Sequence, residues 1–216
     1  MKVRSVLLTV MAIAAAQPAT AQIFWQSPDF RGTPIVPGEA GMGIPMPGAT
    51  PTEEAAAIAW QLRSGLNVMA LQCQFDKTLL AQDSYNGILV NHRDELSKIY
   101  TTLTSYFTRT TGKNKKAAQD ALDRYGTKNY TSFSTVRAQY GFCQAASNIA
   151  RTTLFAPRGS FQTVAFERLR ELRNALVPQG EQLFRFGAKL PITYPDFSNK
   201  CWTKRGYKNC AYTAGF

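Results

Sequence analysis

The sequence predicts an all-α protein, a bundle of four long helices and one short helix, flanked by an extended Pro/Gly-rich N-terminal arm and an irregular, disulfide-closed C-terminal segment. Two observations predict it. From residue 51 to 178 the apolar side chains recur at steps of three and four, the spacing of one helix face rather than the alternation of a half-buried strand. Pro and Gly crowd the stretch before that region, and helical periodicity is lost after it. The 216 residues divide accordingly into 1–21, a cleaved signal peptide; 22–50, the arm; 51–178, the bundle; and 179–216, a tail with a short disulfide loop.

The opening segment reads as an export signal. Lys2 and Arg4 give a positive start, Ser5 to Ala16 is apolar, and Ala19-Thr20-Ala21 is a small-x-small cleavage site before Gln22. The apolar run is roughly a dozen residues, short of the ~20 that span a bilayer, and no later segment reaches that length. A periplasmic or secreted protein without a membrane span is therefore expected. In the arm, Pro28, Pro34, Pro37, Pro45 and Pro47 alternate with glycines and exclude a regular helix or central strand. Phe24, Trp25, Phe30, Ile35 and Val36 are unusually apolar for a free linker, so part of the arm is expected to lie against the body.

The first helix starts at a capping box: Thr50 can cap, Pro51 suits the first helical position, and Glu53 stands three residues on. It is predicted to run to about Leu80, with Ile58, Leu62, Leu66, Met69 and Cys73 on one face. Gly65 and Asn67 predict a bend or a close backbone contact midway. The second helix, from Asp83 or Ser84 to about Thr110, has the clearest stripe: Tyr85, Ile88, Leu89, His92, Leu96, Ile99, Tyr100, Leu103 and Phe107. A short third helix spans Asn114 to Tyr125, with Gly126 placed to stop it. Ser134 is expected to cap the fourth, where Val136, Tyr140, Cys143, Ala150 and Leu154 align before Pro157. The fifth starts at Ser160, buries Phe161, Val164, Ala165, Leu169, Leu172 and Leu176, turns Glu167, Arg168, Glu171 and Arg173 mostly outward, and stops before Pro178.

Four cysteines in an exported chain without a C-x-x-C point to disulfides. Cys73 and Cys143 fall on core-facing stripes while Cys201 and Cys210 are near neighbours, so Cys73–Cys143 and Cys201–Cys210 are the expected pairs.

The formal net charge is +11, and removal of 1–21 takes Lys2 and Arg4 and no acid, leaving +9. Such an excess speaks about partners, and outside the cytosol the abundant polyanions are acidic polysaccharides, lipid head groups and wall polymers. The tail is the most distinctive place to meet one. Lys200, Lys204, Arg205 and Lys208 are interleaved with Trp202, Tyr207 and Tyr212 around the Cys201–Cys210 loop. Aromatic faces stack on sugar rings while Lys and Arg pair with anionic groups. The same combination suits single-stranded nucleic acid, but the compartment makes that partner unexpected. A solvated loop whose aromatics cover the bundle is the structural alternative.

His92 is the sole histidine, which excludes a di-metal carboxylate bundle and an HExxH zinc site. Its neighbours Asp94 and Glu95 could join a nucleophilic triad, but its place on an apolar stripe favours a hydrogen-bonded core residue. No phosphate loop, dinucleotide fingerprint or C-x-x-C-H is present, so no cofactor or metal is expected. Asn129-Tyr130-Thr131 matches a glycosylation acceptor. Paired carboxylates stay open as an enzymatic route to glycan cleavage, with Glu53, Glu54, Asp76, Asp83, Asp94, Glu95, Asp120, Asp123, Glu167 and Glu171 as candidates. The leading expectation is a non-enzymatic binding module for an anionic envelope polymer or an envelope protein. A glycan-cleaving enzyme and a structural subunit of a surface or secretion assembly are the alternatives.

Overall fold

A computed structural model of the chain describes residues 28–112, 114–135, 137–178, 193–195, 199–204, 206–208 and 211–213. Six helices form the body: α1 Pro51–Gln72, α2 Ala81–Asn91, α3 Arg93–Thr110, α4 Lys115–Phe133, α5 Gln139–Phe155 and α6 Phe161–Asn174. The helical bundle is the predicted class, and none of its helices is long and apolar enough to cross a membrane.

Helix α1 lies at the centre and packs against each of the other five. Its composition explains the position: Ala56, Ala57, Ala59, Gly65 and Ala70 flank the Leu62, Leu66 and Met69 stripe, so the helix is buried nearly all round. The capping box forms as expected. Thr50 Oγ1 accepts the Glu53 N–H at 3.3 Å, and the Glu53 carboxylate accepts the Thr50 N–H at 2.8 Å. Of the two readings of Gly65, close approach is the one realised: a Cβ there would stand 2.6 Å from Leu172 Cδ2 and 3.2 Å from the Phe133 ring.

Helix α1 ends at Gln72, short of the expected Leu80. The Asp76 side chain accepts the Thr78 N–H at 2.9 Å and starts a 3₁₀ turn, Lys77–Leu79, offering the backbone a local alternative to the helix. Leu80 then takes a left-handed conformation, φ 48°, and reverses the chain into α2. Cys73, at the last turn, joins Cys143 of α5 in the predicted disulfide, with both residues buried.

The long second helix is in fact two, α2 and α3, which meet at His92, φ −108° and ψ 19°. Tyr100, placed on its core stripe, is instead exposed and stacks on Trp60 at 5.3 Å. Helix α4 runs past Gly126, because Asn129 and Phe133 on its second half are as buried as Tyr125 on its first. Ser134 closes α4 rather than opening α5, and Thr135 Oγ1 accepts the Ala138 N–H at 3.2 Å ahead of α5. Val136 lies outside the described residues. Tyr140, expected in the core, is 63% exposed and meets Phe75 edge-on at 5.5 Å. In α6, Glu171 and Arg173 turn inward. Arg168 holds the buried Glu171 by two bonds of 2.7 and 3.1 Å, and Arg173 lies over the Phe133 ring at 4.8 Å.

The described part of the arm packs on the bundle. Of the apolar arm residues, Phe30 and Ile35 are buried, Val36 is exposed, and Phe24 and Trp25 lie outside the described residues; the Ile35 N–H donates to Phe166 O at 2.7 Å, and Asn174 Nδ2 donates to Phe30 O at 2.9 Å. Arg170 clips the arm to α6 through Thr33 O at 2.7 Å and both Glu39 carboxylate oxygens at 2.6 and 2.7 Å. The tail folds as two nested antiparallel pairs. Thr193–Pro195 (β1) pairs with Ala211–Thr213 (β4), and Trp202–Thr203 (β2) pairs with Gly206–Tyr207 (β3). Cys210, and with it the second expected disulfide, lies outside the described residues.

Candidate functional site

The inner hairpin of the tail gathers most of the residues singled out from the sequence. A 3₁₀ turn, Asn199–Cys201, leads into β2, and the register sets Trp202 opposite Tyr207 and Thr203 opposite Gly206. Gly206, at φ 120°, takes a conformation that L side chains rarely adopt, and Thr203 Oγ1 donates to Gly206 O at 2.9 Å across the turn. The Lys208 N–H donates to Cys201 O at 2.8 Å and closes the loop's neck. Lys200, Lys204 and Lys208 are exposed, and Trp202 is 50% exposed. Arg205 lies outside the described residues. The loop therefore carries exposed lysines at its entrance, turn and exit and a half-exposed indole on β2.

His92 and several of the acidic candidates have structural roles. His92 is 1% exposed, and its Nε2 stands 3.0 Å from Thr153 O. A carbonyl only accepts, so Nε2 carries the hydrogen. Beside it, Asn91 Nδ2 donates to Leu154 O at 3.1 Å. Thr153 and Leu154 belong to the last turn of α5, whose carbonyls lack i+4 donors within the helix, and Thr153 O also accepts the Ala156 N–H at 3.2 Å. Three residues on, the Glu95 carboxylate accepts the Phe161 and Gln162 N–H groups, both at 2.9 Å, at the start of α6. The segment 91–95 thus caps the end of one helix and the beginning of the next. Helix-terminal charge complementarity makes a carboxylate the favoured group at that second position. His92 Nδ1 faces Glu95 at 3.6 Å and the ring rests on Phe161 at 5.6 Å, so among the described residues no nucleophile completes a triad. Replacement of His92 by Gln is expected to lower the unfolding free energy by about 1–2 kcal/mol and to leave any binding activity of the protein largely unchanged. Urea denaturation beside a binding measurement checks both, and a stable variant that no longer binds would contradict the structural role.

Among the acids, Glu53 is partly desolvated, which raises its pKa, but the Thr50 N–H and the Arg109 guanidinium, 2.6 Å away, outweigh that and hold it below the usual carboxylate value. Asp76 is lowered by its bonds to Thr78. Glu39, lining the arm, is lowered by Arg170. A general acid needs the opposite shift. Among the described residues no group of three or more His, Cys, Asp or Glu side chains could hold a metal ion. Asn129 is fully buried in α4, its Nδ2 donating to Tyr125 O at 3.1 Å, which removes the glycosylation reading.

The arm creates what the sequence did not announce. Residues Ile44 to Pro47 cross the bundle as a strap with a cavity on each side, one of about 430 Å³ toward Ile35, Glu54 and Ile58, and one of about 190 Å³ toward Tyr106 and Tyr125. Tyr106 Oη donates to Pro47 O and an Arg109 Nη donates to Gly48 O, both at 3.1 Å, fixing the strap's end to α3. Beneath it, Arg173 donates to Gln61 Oε1 at 2.6 Å, and burial draws the guanidinium's pKa down while Tyr125 counteracts it. Burial pushes the Tyr125 hydroxyl up to about 12, against the tempering effect of Asn129 and Gln61 nearby. Only the apolar residues of the arm hinted at this feature, and its walls come from four separate stretches of chain.

No family model matches the chain, and no curated protein and no solved structure matches it either.

Proposed function

We propose that this is an exported, non-enzymatic binding protein that holds an anionic polymer of the cell envelope through its tail hairpin. The observation that carries the reading is the hairpin itself, where Trp202 is in register with Tyr207 and Lys200, Lys204 and Lys208 are exposed. Support comes from the signal-like segment 1–21 and from the net charge of +9 that stays after its removal. The Cys73–Cys143 disulfide fits an oxidising compartment.

Retention on an anionic and on a neutral glycan matrix tests the proposal. Retention on the anionic matrix is expected to fall steeply between about 0.05 and 0.2 M salt, since exposed ionic contacts are screened over about 10 Å or less. Replacing Lys200, Lys204, Arg205 and Lys208 by Gln should weaken it more than replacing Lys113, Lys115 and Lys116, where no aromatics are interleaved. Equal retention on both matrices, or no loss on neutralising the tail, would leave the tail a structural flap and shift weight to a subunit of an assembly.

A further inference from the structure

The smaller cavity beside the strap has the attributes of a ligand site distinct from the tail. Its walls are apolar and aromatic: Met46 of the strap faces Tyr106, Phe107 and Tyr125, whose rings form a chain with centroids 4.9 and 5.4 Å apart. At its rim stand two cations, Arg124 and Lys128, exposed and one helical turn apart on the same face of α4. Tyr125, 4% exposed, contributes its ring to the floor of the cavity.

We propose that this cavity binds a small aromatic monocarboxylate, with its ring among Met46, Tyr106, Phe107 and Tyr125 and its carboxylate at Arg124 and Lys128. Size selects a single ring. An apolar cavity of about 150 Å³ accommodates benzene, and 190 Å³ leaves room for one short acidic substituent. Charge selects an anion, because the lining includes two cations and no acid. Aromatic walls select a ring over an alkyl chain, since offset and edge-on contacts extend the existing chain of rings. The strap supplies the remaining wall through Ile44, Pro45 and Pro47, so the arm is a component of the site. This proposal stands independently of polymer binding by the tail.

Titration of the mature chain with phenylacetate, followed by amide NMR shifts, tests it. Saturable shifts are expected at Ile44, Met46, Phe107, Ala121 and Tyr125. The uncharged analogue phenylacetamide should bind at least about tenfold more weakly, and so should phenylacetate to the Arg124→Gln/Lys128→Gln double variant, the loss typical of removing charged hydrogen bonds. Both substitutions are at exposed positions and leave the core untouched. Ala121→Phe, which fills the cavity and keeps both charges, should abolish the shifts in a protein whose thermal midpoint confirms that it is folded. Absence of saturable binding to the wild type, equal affinity for the amide, full affinity in the double variant, or shifts confined to the tail hairpin would each overturn the proposal. Variants neutralised at the tail should bind phenylacetate like the wild type, so failure here and failure of polymer binding are read separately.

Discussion

Replacing Cys73 and Cys143 together by Ala is expected to lower the unfolding free energy by about 4 kcal/mol, the loop-closure entropy of a bridge between residues 70 apart in sequence. In a chain of this length that corresponds to a fall in thermal midpoint of roughly 10 °C. The bridge joins the end of α1 to α5, and both residues are buried, so a reductant should act on the unfolded protein far faster than on the native one. Urea denaturation of oxidised wild type and the double variant measures the difference. A loss under about 1 kcal/mol would mean that the denatured chain is already restrained between these positions.

Gly65→Val should cost about 3 kcal/mol. A Cβ at that position falls 2.6 Å from Leu172 Cδ2 and 3.2 Å from Phe133, and both neighbours are fully buried, so neither has free space to move into. Gly65→Ala separates the two opposing effects. It gains about 1 kcal/mol of helix propensity and still meets Leu172, for a net loss of about 1 kcal/mol. If Val were tolerated as well as Ala, α1 and α6 would not approach each other as closely as described.

The parts of this structure legible in the sequence are those determined locally or by one helix face. Thr50, Pro51 and Glu53 interact within a single turn, and the capping box is present. Cys73 and Cys143 sat on apolar stripes and are bonded. His92 was read as a hydrogen-bonded core residue and is one. The break between α2 and α3 was not legible, because neither Gly nor Pro marks it. It answers to carbonyls of α5 more than sixty residues away. Gly126 failed as a stop signal because the burial of Asn129 and Phe133 beyond it outweighs the roughly 1 kcal/mol that glycine costs a helix. Tyr140 kept the spacing of its stripe but falls in the first turn of α5, beyond the cover of the neighbouring helices. Of the two candidate sites, the tail was visible as an interleaving of basic and aromatic residues. The strap-walled cavity was hidden, since Met46, Tyr106 and Tyr125 meet only once the arm has folded back.

The helix that all the others cover is also the first of the six to be synthesised. While α2 to α5 are being made, the face of α1 around Gly65 waits for Leu172, near the end of α6, and its apolar surface stays open until then. The helices made earlier can pack on the rest of α1, but this face stays uncovered until α6 exists, so the last helix acts as the closing piece.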